Sequence, residues 1–127
     1  MRVFVIAFAL APLSGCTQTT QPDTRYIYVS IEVESNLQND PATIYLDYST
    51  LLQSRINTNP VLSLAWSSGL QQLSHDIHYI YFAASELGAH GGYTIDLKDD
   101  TSTVTINVDR SSKQVTFRQY KGRLLRD

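Results

Sequence analysis

The sequence predicts a two-layer α+β domain, with helices packed on one face of a roughly four-stranded antiparallel sheet. Three observations predict it. Residues Tyr26–Glu34 alternate between apolar and polar, the final third of the chain repeats that alternation three times, and the stretch between them carries leucine and isoleucine at helical spacing. Strands with one apolar face need a cover, and amphipathic helices need something to cover.

Each element has its own pattern. In the first strand Ile27, Val29, Ile31 and Val33 face one way, and Tyr26, Tyr28, Ser30, Glu32 and Glu34 the other. Segment Ala42–Asn57 reads two ways. Ile44, Leu46 and Tyr48 alternate as in a strand, whereas Ile44, Tyr48, Leu52 and Ile56 recur every four residues; Asp40-Pro41, as cap and first turn, favours a helix. Asn59-Pro60 likewise opens a shorter helix to about Ser67, with a break at Gly69. Leu70, Leu73, Ile77, Ile80, Ala84 and Leu87 then form the apolar stripe of a long helix, which Gly88 ends. Three strands follow, carried by Tyr93-Ile95-Leu97, Val104-Ile106-Val108 and Val115-Phe117. Asp99–Ser102 and Asp109–Lys113 supply turn chemistry between them, so an antiparallel meander with a solvated threonine face is expected.

The 127 residues, 43% hydrophobic and 17% charged, suit one globular core and no disordered chain. The single domain is assigned to residues 25–121, and 122–127 to a basic tail. The net charge is −2, which gives no reason to seek a polyanion, so nucleic acid is not an expected partner. Basic residues do gather late, at Arg110, Lys113, Arg118, Lys121, Arg123 and Arg126. They read as a solvated strand face and a frayed tail, or as a patch for anionic lipid headgroups.

Met1-Arg2 is a short positive start, and Val3–Leu13 is an apolar run. As a helix that run is only about 17 Å long, well short of a bilayer core of roughly 30 Å, so a cleavable export signal over residues 1–15 is the better reading. Leu13-Ser14-Gly15-Cys16 resembles the lipobox of bacterial lipoproteins. The resemblance implies cleavage before Cys16 and attachment of lipid to its thiol, so that membrane lipid is itself a partner. With Thr17 and Gln18 after the cysteine, where the family uses aspartate for inner-membrane retention, it implies the outer membrane, periplasmic side. Independently, Cys16 is the only cysteine, and an exported chain with one unpaired thiol is otherwise odd. Residues 16–24 are the lipidated cysteine and its tether; the eight residues Thr17–Thr24 reach at most about 28 Å.

No cofactor or metal is expected. His75, Asp76, His78, Glu86 and His90 are the titratable cluster, but on a helix Asp76 points about 100° away from His75, and His90 lies beyond the glycine break. His90-Gly91-Gly92 follows a helix instead of opening one, so it is no phosphate cradle. No nucleotide-binding or nucleophile motif is present. On the back of the long helix, His75, Tyr79, Phe82 and Glu86 form a second stripe. It is either a protein-binding surface or a face covered by a second helix such as Ala42–Asn57. Tyr26 and Tyr28, on the outer face of the first strand, are a further candidate surface.

The expected function is a lipid-anchored, non-enzymatic envelope accessory that binds a secretion, pilus or cell-wall component near the outer membrane. An inhibitor, immunity or exclusion lipoprotein is the alternative. A small hydrolase, using His75 or His78, is third.

Overall fold

The computed structural model describes residues 25–35 and 37–123, and it is a β-sandwich. Eight strands follow in order: β1 (Tyr26–Ser35), β2 (Asp40–Leu46), β3 (Ser49–Ile56), β4 (Trp66–Ser74), β5 (Tyr79–Ala84), β6 (Ala89–Thr94), β7 (Thr101–Asp109) and β8 (Gln114–Lys121). One sheet has the order β4-β1-β7-β8 and the other β3-β2-β5-β6. The expected α+β fold is therefore wrong. Among the described residues the single helical element is a 3₁₀ turn, Ser85–Leu87.

The long helix fails because its stripe joins two strands and a loop by coincidence of spacing. Leu70 and Leu73 belong to β4, Ile77 stands 74% exposed in the loop after it, and Ile80 and Ala84 belong to β5. Within β5 the operative period is two: Ile80, Phe82 and Ala84 are buried, while Tyr79 and Tyr81 turn outward. The run Tyr79-Ile80-Tyr81-Phe82, aromatic and β-branched throughout, suits a pleated surface. Segment Ala42–Asn57 is likewise not a helix but the hairpin β2–β3, closed at Asp47-Tyr48. Both turn residues have positive φ, 51° and 68°, as a type I′ hairpin turn requires. The helix expected after Pro60 is a turn, in which the Asn59 side chain accepts the Val61 and Leu62 N–H groups.

The meander is corrected too. The β7–β8 hairpin is antiparallel as expected, but β6 lies in the other sheet and β7 runs parallel to β1. A parallel pair needs a long crossover, and here the four strands of the second sheet, with β4 between them, supply it. The inner faces meet in one core that includes Ile27, Val29, Ile31 and Val33 of β1, Ile44 of β2, Ile80 and Phe82 of β5, and Val104, Ile106 and Val108 of β7. Along one side the sheets close through Tyr93 of β6, whose ring stacks on Phe117 of β8 at 5.6 Å. Gly91 permits this approach, since a methyl group there would press on Phe117 and Val115.

The polar face of β1 and β7 is not solvated as expected. Ser30, Glu32, Thr103 and Thr105 are buried. These two strands are central in their sheet, with a neighbour on each side, and the Thr103 hydroxyl donates to the Gly122 carbonyl at 2.9 Å.

Strand direction divides the molecule into two ends. At one end lie Arg25, where the described chain begins, the Asp47-Tyr48 turn, the Ser74–His78 connection and the 95–100 loop; we call it the entry end. The far end carries the connections β1–β2, β3–β4, β5–β6 and β7–β8.

Candidate functional site

On the outer face of the β3-β2-β5-β6 sheet, near the entry end, four tyrosines line an open apolar cleft of about 350 Å³. Tyr45 and Tyr81 are direct cross-strand partners, with ring centroids 6.3 Å apart. The row continues to His90 of β6, 6.1 Å from Tyr81. Tyr79 lies across Gly92, its own diagonal neighbour on β6; a methyl group at position 92 would overlap the tyrosine ring and hydroxyl. Glycine is thus the seat of Tyr79.

Tyr48 forms the outermost wall. It is 90% exposed and sits at a left-handed position that glycine or asparagine normally takes, at a cost of about 1–2 kcal/mol. The turn is held from beneath. Asp47 accepts the Tyr79 N–H through Oδ1 at 2.8 Å, and its Oδ2 lies 2.5 Å from Nδ1 of His78. Its backbone N–H donates to the Tyr79 carbonyl at 2.9 Å.

His78 is the hub. Its Nε2 lies 2.9 Å from the Ser74 carbonyl oxygen and 3.3 Å from Ser74 Oγ. A carboxylate and a carbonyl only accept, so these contacts favour the ring with hydrogen on both nitrogens, the imidazolium form. Burial by itself lowers the pKa of this ring. The hydrogen bonds to Asp47 and Ser74 and the charges of Asp47 and Asp76 outweigh it, and the pKa stands above the usual 6.5. Ser74, His78 and Asp47 thus touch in the sequence nucleophile, base, orienting acid. Nε2 lies nearer the Ser74 carbonyl than the Ser74 hydroxyl, and a ring that carries hydrogen on both nitrogens has no lone pair to take the proton of Ser74. The set is a clamp joining β4, β5 and the Asp47-Tyr48 turn.

The residues singled out from the sequence are scattered. Tyr79 lies in the cleft. Phe82, on the opposite face of the same strand, is wholly buried in the core. Glu86 is at the far end, in an exposed ion pair with Arg55 at 3.0 Å. His75 stands in the loop after β4, beside Arg25. Tyr26 and Tyr28 share the outer face of the other sheet with Leu70 and Tyr120, all partly exposed. Cys16, with the leader and tether, lies outside the described residues. Tyr45, Tyr48, Tyr81 and Asp47 are not among the residues the sequence singles out; reading 42–46 and 79–84 at period two finds Tyr45 and Tyr81, whereas Asp47 and Tyr48 belong to the turn after β2.

Among the described residues no group of three or more His, Cys, Asp or Glu side chains is placed to hold a metal ion. None of their helices is long and apolar enough to cross a membrane. The chain matches no protein-family model and no curated protein.

Proposed function

We propose that this chain is a lipid-anchored, non-enzymatic binding protein of the cell envelope. Held by Cys16, it uses the tyrosine cleft to dock a component of a secretion, pilus or cell-wall assembly at the outer membrane. The observation that carries the reading is Tyr48: a large aromatic side chain kept at a strained, almost fully exposed position, next to three other tyrosines, serves no purpose in the core. Tyrosine gives large, rigid contact area at small entropy cost and is enriched where proteins dock.

One observation favours a hydrolase, the contact of Ser74 with His78 and Asp47; against it, Nε2 of His78 lies nearer the Ser74 carbonyl, at 2.9 Å, than the Ser74 hydroxyl, at 3.3 Å. The test is a photo-reactive residue in place of Tyr81, with the same residue at Thr116 on the opposite sheet as control. In envelopes from cells making the full chain, the account expects a discrete protein adduct from position 81 and none from 116. No adduct from 81, or equal adducts from both, refutes it.

A further inference from the structure

Two independent features coincide at the entry end. The described chain begins there at Arg25, whose carbonyl accepts the His75 N–H at 3.2 Å, so the segment leading back to Cys16 leaves from this end. The same end carries two strongly exposed apolar side chains at loop tips, Tyr48 at 90% and Ile77 at 74%. They sit in adjacent connections, linked by the Asp47–His78 clamp. On the reading of Cys16 as the lipid anchor, the eight residues Thr17–Thr24 span at most about 28 Å between this end and the bilayer, and β1, ten residues long, sets the far end roughly 30 Å further away.

We propose that the entry end seats directly on the lipid surface, with Tyr48 and Ile77 entering the headgroup region. This rests on the reading of Cys16 as the lipid anchor. Tyrosine is a residue of membrane–water interfaces, its ring apolar and its hydroxyl wet. Charge does not drive the contact. Among the described residues of this end, Arg25, Lys98, Lys121 and Arg123 are met by Asp47, Asp76, Asp96, Asp99 and Asp100. The surface therefore fits neutral phospholipid as well as anionic lipid, unlike a basic patch. The clamp fixes the angle between the two tips, because His78 follows Ile77 directly and holds Asp47, the neighbour of Tyr48. Seated so, Tyr48 becomes the membrane-side wall of the cleft, and a docked ligand lies at headgroup level.

The test uses the lipidated full chain, reconstituted in phosphatidylcholine vesicles that carry a spin-labelled lipid quencher. Trp66→Phe removes the only tryptophan, and Tyr48→Trp, Ile77→Trp or Val61→Trp restores one at an exposed site. Val61, 79% exposed, belongs to the far end. Emission from positions 48 and 77 should shift to the blue and be lost to the quencher, while position 61 keeps the emission it has without quencher. Equal quenching at all three positions, or none at 48 and 77, overturns the seating. So does quenching at 48 and 77 that needs phosphatidylglycerol in the vesicles. A chain that fails to float with the vesicles contradicts the anchor itself, and the seating falls with it.

Discussion

The clamp under the cleft should show itself in the pH dependence of Asp47→Asn. Asparagine tolerates the left-handed turn and keeps an oxygen for the Tyr79 N–H, so the substitution removes the charge facing His78 and little else. A hydrogen bond to a charged group is worth about 1.5–3 kcal/mol, and the 41% exposure of the Asp47 side chain brings the expectation to about 1–2 kcal/mol. The pKa of His78 is raised on folding, so the ion pair contributes fully below the unfolded value of about 6.5 and fades as pH rises through the folded value. Urea unfolding of the folded domain at about pH 5.5 should thus show nearly the whole penalty, and unfolding at about pH 9 a clearly smaller one. With a urea slope of about 1–3 kcal/mol per molar, the acid-side midpoint falls by about 0.3–2 M. A penalty that is the same at both pH values, or larger at pH 9, refutes the imidazolium assignment and reopens a neutral His78 able to accept the proton of Ser74.

Three further outcomes follow from particular contacts. Gly92→Ala should expel Tyr79 from its seat and abolish the adduct at position 81, at a stability cost under about 1 kcal/mol because the ring can swing outward; thermal melting and cross-linking read the two effects apart. Tyr48→Gly should do the reverse of an ordinary truncation, raising stability by about 1 kcal/mol through relief of the left-handed strain while weakening docking. Arg110→Met should cost about 2–3 kcal/mol at neutral pH. Arg110 is 2.6 Å from Asp40, a buried carboxyl that burial pushes up but the Gln38 N–H and Arg110 hold below its usual 3.8. That cost should shrink in unfolding experiments as pH falls through the lowered value, since protonated Asp40 no longer needs the cation.

The period-two strands were legible where one face is polar. Tyr26–Glu34, 103–108 and 115–118 are strands, with the inward residues read from their alternation. The middle of the chain misled because leucine and isoleucine fall three or four apart by chance across two strands and the loop between them. Local spacing cannot tell this from a helix; the density of aromatic and β-branched residues in 79–82 is the better guide. The β2–β3 turn was hidden because Asp47-Tyr48 lacks the glycine that advertises a type I′ hairpin. That same departure marks the site: the residue that spoils the turn signal is the one that walls the cleft. The parallel pairing of β1 with β7 rests on contacts more than seventy residues apart, for example Ile31 with Val104, and no local pattern encodes it.

Docking at the cleft can be read on the eight tyrosines of the chain. Tyrosine-selective labelling, read by mass spectrometry, can compare the chain in intact envelopes with the purified domain. Tyr45, Tyr48, Tyr79 and Tyr81 should be protected together in the envelope while Tyr28 and Tyr120, on the opposite sheet, keep their reactivity. Protection of Tyr28 and Tyr120 with the cleft tyrosines left reactive would contradict it, and place the docking face on the other sheet.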